Sequence, residues 1–150
     1  MADLRDGVLR LALPPGFAYR SFDANPTTMS DGTTLPGTLV RSEGEPETGD
    51  QGVTEAYDGL GATWQLWQEA YGRNSLDGKG LPLVASVHYG TSYDNAFWDG
   101  TQMVFGDGDG VIFLPFTRSV DVIGNELAHG VTQYTSGLNY QDQSGALNES

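Results

Sequence analysis

Two stretches of this chain repeat their apolar positions every three or four residues, and both are predicted helices. Over 52–71, Val53, Tyr57, Leu60, Trp64, Trp67 and Tyr71 fall on one face. Asp50 is placed to cap the start and Gly72 to end it. This aromatic stripe reads as core. Gly59 and Gly61, each worth about 1 kcal/mol less than alanine in a helix, read as points of close approach to a neighbour. Over 119–135 the buried stripe is Val120, Ile123, Leu127, Val131 and Tyr134. Ser119 is the N-cap, Asp121 suits the positive end of the helix dipole, and Gly137 sits where a terminating glycine belongs.

Between the helices the period falls to two. Residues 81–89 read as a strand, with Leu83, Ala85, Val87 and Tyr89 on one face and Ser86 and His88 on the other. His88 reads as structural. Asp99-Gly100 between extended runs predicts a hairpin within 97–105. Gly106 to Gly110 is a loop, and Val111 to Phe116 is strand-like, with Pro115 marking an end or an edge. The alternating Asp107 and Asp109 hint at calcium but lack the spacing and glutamate of an EF-hand, so they read as a hydrogen-bonded turn. Residues 1–50 are full of turn signals (Pro14-Pro15-Gly16, Asn25-Pro26, Asp31-Gly32, Pro36-Gly37) and read as irregular, with extended pieces at Val8–Leu13 and Thr38–Arg41. The order predicts an α+β domain with a twisted, largely antiparallel sheet.

Composition narrows the functions. A chain of 150 residues with net charge −13 can bury one core, but its surface repels nucleic acid and anionic membranes. Surplus carboxylates can bind calcium or simply keep the chain soluble. The absence of cysteine excludes disulfides and thiolate metal sites. The first residues lack the apolar core of a signal peptide, and no run approaches the roughly 18 apolar residues of a membrane span.

The candidate chemistry lies in the second helix. Asn125 and His129, four apart, share a face, and Glu126 lies beside them. With histidine at both positions this would be the zinc-protease pattern, two imidazoles on the metal and a glutamate acting on its water. With asparagine at the first position, Glu126 and His129 alone read as a solvated helix pair rather than a metal site.

The flanking sequence decides between those readings. The stretches 35–44, 55–63, 72–77, 87–90, 93–100 (Tyr-Asp-Asn-Ala-Phe-Trp-Asp-Gly), 102–110, 121–132 and 144–150 run in order without large gaps. From about Thr34 to Ser150 they resemble the thermolysin-like zinc metallopeptidases, particularly their short-propeptide, protealysin-like bacterial branch. The resemblance implies that His129 and Glu149 are zinc ligands, with Asn125 standing where the family has its other histidine. It implies Glu126 as general base, Tyr140 as donor to the oxyanion, and Asn95 and Ala96 as the edge that pairs with substrate backbone. Asp121 would be a calcium ligand. The residues alone allow a capping acid at Asp121, a turn residue at Asn95 and core packing at Tyr140.

The resemblance further implies secretion, a peptide or protein substrate, and a helical second domain beyond Ser150, so residues 34–150 would be a catalytic domain cut at its third-ligand helix. Residues 1–33 would be a propeptide or a foreign segment. Within them, 11–22 and 28–33 also resemble part of a calcium-dependent alkaline phosphatase family, with no phosphatase residues following. An amide oxygen is a poor zinc ligand beside imidazole, so the expectation is a metalloendopeptidase with weakened or lost zinc. The rivals are an inactive peptide-binding module and a calcium-stabilised structural fragment.

Overall fold

The long first helix is set by its ends. In the computed structural model, which describes residues 2–5, 8–11, 19–23, 33–139 and 141–149 and the backbone alone in 2–23, helix α1 runs Gln51–Tyr71. Asp50 caps it by accepting from the Val53 amide, and Gly72 ends it in the left-handed conformation, at φ 62°. Its apolar stripe is buried from Val53 through Tyr57 and Leu60 to Trp64. The expected stripe then leaves the core: Tyr71 is exposed, its ring tilted against that of Trp67 with centroids 5.1 Å apart.

The strands are β1 (Ala2–Arg5), β2 (Val8–Leu11), β3 (Tyr19–Asp23), β4 (Thr38–Ser42), β5 (Leu83–Val87), β6 (Ala96–Trp98) and β7 (Met103–Phe105). β1 and β2 form a separate antiparallel pair. The other five form one sheet in the order β4-β3-β5-β7-β6. It is mixed rather than largely antiparallel. β3 and β4 are antiparallel, as are β6 and β7, while β5 runs parallel to both β3 and β7. β3 comes from the segment read as irregular and sits between β4 and β5.

Three more sequence expectations change. The 81–89 run ends at Val87, because His88 takes φ 58°, a turn that a strand cannot contain. The run 111–116 is not a strand. The Asp109 carboxylate accepts the amides of Val111, Ile112 and Phe113 and folds the chain into a turn, leaving Val111 88% and Ile112 78% exposed. A single 3-10 turn follows at Phe116–Arg118. The hairpin forms, but over the four residues 99–102 rather than a two-residue turn. The Asp99 carboxylate accepts from the Thr101 and Gln102 amides inside it.

Helix α2 runs Val120–Thr135 and crosses α1 at a glycine. A Cβ on Gly59 would lie 2.2 Å from Ile123 Cδ1, so only glycine lets the two helices meet there. Ile123 and Leu127 are buried, while Val120 and Tyr134 of the expected stripe are exposed. Gly137 takes φ 59° and donates its amide to the Thr132 carbonyl, ending the helix as expected. A short helix α3 covers Asp142–Asn148. The core lies between α1, α2 and one face of the sheet, around Leu60, Leu83, Val87, Met103, Phe105, Ile123 and Leu127.

Candidate active site

Helix periodicity brings Asn125, Glu126 and His129 to one side of α2, and α3 comes up against them. His129 is 7% exposed. Its Nδ1 lies 2.9 Å from the Asn148 side-chain oxygen. The Asn148 amide nitrogen donates to the Leu138 carbonyl, which turns the oxygen toward the ring, so Nδ1–H is the donor. Nε2 is thereby aimed at Glu149, whose Oε2 is 3.8 Å away. The α2 face and Glu149 therefore do meet. Asn148 is the residue that sequence reasoning missed, and its only signal was its place next to Glu149.

Two of the expected donors are thus opposed across a gap suited to a cation, since zinc sits about 2.0–2.2 Å from such ligands. The third fails. Asn125 is exposed, and its amide nitrogen is turned to Glu126 Oε1 at 3.3 Å. Among the described residues no group of three His, Cys, Asp or Glu side chains could hold a metal ion. One imidazole and one carboxylate do not make a tight zinc site, so the side chains present do not fit that ion as they stand.

The other candidates lie apart from this centre. Asp121 is exposed at the start of α2, and its carboxylate accepts from the Ser119 hydroxyl. That bond holds its pKa below the ordinary aspartate value. It replaces the expected Ser119 cap on the helix amides, and among the described residues Asp121 belongs to no group of three His, Cys, Asp or Glu side chains that could hold a metal ion. Tyr140 lies outside the described residues.

β6 is an edge of the sheet. Gly106 donates to the Asn95 carbonyl and Asp99 to the Gln102 carbonyl, both at 3.0 Å. Antiparallel alternation then turns the backbone of residues 95, 97 and 99 inward and that of Ala96 and Trp98 outward. Of the expected pair, Ala96 presents its backbone to the open edge. Asn95 acts through its side chain, which accepts the Ala96 amide at 2.9 Å. Trp98 is the second outward position, and its indole N–H donates to Gln133 on α2 at 2.8 Å.

Known proteins resemble this chain over most of its length. The sequence model of the thermolysin metallopeptidase catalytic domain matches residues 15–133. An extracellular metalloprotease of Pectobacterium carotovorum subsp. carotovorum is 55% identical over 139 residues, covering 92% of this chain and 39% of that protein. Protease PrtS of a Photorhabdus species (strain Az29) is 59% identical over 118 residues, covering 79% of this chain and 32% of its own length. Among solved structures, the precursor of protealysin, a metalloproteinase from Serratia proteamaculans, superposes with a TM-score of 0.83 at 51% identity. It covers 92% of this chain and 41% of that one. The chain therefore spans about two fifths or less of these relatives. No described helix is long and apolar enough to cross a membrane.

Proposed function

This chain belongs to the thermolysin metallopeptidase family, and from that membership we propose that it is the catalytic frame of a zinc-dependent metalloendopeptidase whose metal grip is broken at Asn125. The observation that carries the reading is the opposition of His129 and Glu149 across 3.8 Å, with Asn148 fixing the ring. A histidine at position 125, one turn before His129 on the same face, would supply the missing donor. Zinc would then activate water for attack on a peptide bond. Glu126, between the two ligand positions, is the group to take the water's proton. The open edge of β6, through Ala96 and Trp98, would hold the extended substrate by strand addition.

The relatives' greater length supports a further proposal. Another helical domain would cover the exposed Val111, Ile112, Leu114 and Val120 and complete the cleft. Export is proposed from the extracellular relative. In keeping with the notion of a short-propeptide branch, residues 1–33 remain a candidate propeptide. Calcium at Asp121 would need ligands from elsewhere. A second reading, an inactive peptide-binding module, is favoured by the incomplete donor set and keeps the β6 edge as its working surface.

The test measures bound zinc and casein cleavage in three proteins: this chain, Asn125→His, and Asn125→His joined to the remaining length of a relative. Zinc should be substoichiometric in the first and stoichiometric in the other two, with cleavage in the third. Stoichiometric zinc in the unaltered chain would overturn the role given to Asn125. A zinc-loaded, extended revertant that cleaves nothing would overturn the peptidase reading.

A further inference from the structure

Just after β5, a histidine unused by the site is held at both ring nitrogens. His88 Nε2 lies 2.9 Å from Asp50 Oδ2, and Nδ1 lies 2.9 Å from both Asp107 carboxylate oxygens. Each nitrogen faces a carboxylate, so both are donors when the ring is charged. Asp50 is the cap of α1, and Gly52 leaves the room: a Cβ there would sit 3.1 Å from His88 Cε1.

Asp107 is more than a partner. It stands between two glycines whose amides bind the irregular segment leading into β6. Gly106 donates to the Asn95 carbonyl and Gly108 to the Tyr93 carbonyl, at 3.0 and 3.1 Å. The contact is tight, since a Cβ on Gly106 would lie 2.0 Å from the Tyr93 oxygen. The left-handed turn at His88 also brings Tyr89 edge-on to Tyr93 and to Phe97 of β6, at 5.2 and 5.7 Å between centroids.

We propose that His88 is a positioning residue: clamped between Asp50 and Asp107, it seats the 106–108 loop against residues 93–95 and so sets the outward-facing backbone of β6. That this edge receives a peptide rests on the function proposed above; the clamp itself does not. The groups facing the ring are the two carboxylates and the start of α1, whose dipole opposes the imidazolium without outweighing them. The hydrogen bond to Asp107, the largest influence, raises the His88 pKa to about 9 against the opposing effect of burial. The clamp is therefore closed at neutral pH and opens as the ring loses its proton.

The experiment is carbon-detected NMR of the labelled chain from pH 6 to 10.5, following the two histidine rings and the backbone carbonyls of Tyr93 and Asn95. Those carbonyls should titrate with the His88 ring at the same midpoint, near 9. In Asp107→Asn the ring midpoint should fall toward that of free histidine, and Asp107→Glu should restore it. Carbonyls that stay fixed while His88 titrates would overturn the proposal. The wild-type titration decides this alone if the asparagine variant does not fold.

A second arm adds the peptide acetyl-Ala-Phe-Leu-Ala-amide and follows the Ala96 and Trp98 resonances. Binding that weakens across the same midpoint supports the clamp's role in presenting the edge. Binding unchanged while the carbonyls move would overturn it. No binding at any pH, with the carbonyls still titrating, would count against the peptide reading and leave the clamp standing.

Discussion

At the level of single residues, the site turns on how one imidazole is aimed. Asn148 gives its oxygen to His129 Nδ1 and its amide nitrogen to Leu138, so both ends of its side chain are committed. In an Asn125→His background, Asn148→Leu should lower zinc affinity about 10–100-fold, the usual effect of losing a residue that orients a ligand. Competition with a chromophoric chelator measures it; unchanged affinity would show that Asn148 does not aim the ring. Helix spacing placed Asn125, Glu126 and His129 on one face of α2, and the flanking motifs singled out Glu149, which the structure brings to within 3.8 Å of His129. Asn148 was not, because no spacing rule links a residue on α3 to a ring on α2. The inward turn of Asn95 was hidden for a related reason, since which strand face is open depends on the partner β7.

The helices were the most readable elements, and their crossing yields a paired prediction. Periodicity fixed both spans to within a residue, because an amphipathic stripe is a local property. The parallel pairings of β5 were not readable, since one joins it to Tyr19–Asp23, about sixty residues earlier, and the other skips β6 to reach β7. The false strand at 111–116 arose because apolar residues in a row look extended, whereas one carboxylate at Asp109 gathers three amides. At the α1–α2 crossing, Gly59→Ala must push Ile123 aside and should destabilise by about 1–3 kcal/mol, the cost of overpacking. In α2, Gly124 has nothing within 4 Å of its would-be Cβ, so Gly124→Ala should stabilise by about 0.5–1 kcal/mol. Urea unfolding of the two variants reads both signs, and equal effects would mean that the crossing is not as close as described.

For the whole molecule, the carboxylate excess and the His88 clamp act in the same direction as pH rises. The chain carries 20 acidic side chains against 7 Lys and Arg, so its compact state is under self-repulsion that grows as positive charge is lost. His88 is charged in the fold up to a pKa of about 9, against 6.5 for the ordinary side chain. Its contribution is fully present below 6.5 and disappears as pH passes through about 9. At the acid end, burial tends to raise the Asp50 pKa, but the Val53 amide and His88 together hold it below 3.8, so its contribution fades only as pH falls past that value. The His88 ring is one quarter exposed, which reduces the shift to about 1–2 kcal/mol after solvent screening. A chain of this size loses about 2–4 °C of Tm per kcal/mol, so thermal melts should show a plateau near neutrality and a fall of a few degrees between pH 7 and 10. In His88→Asn, chosen because asparagine tolerates the positive φ, the plateau should lie lower and the alkaline fall should shrink to what charge repulsion alone causes. An undiminished fall in that variant would assign the alkaline limit to net charge, and added salt would then raise Tm equally in both proteins.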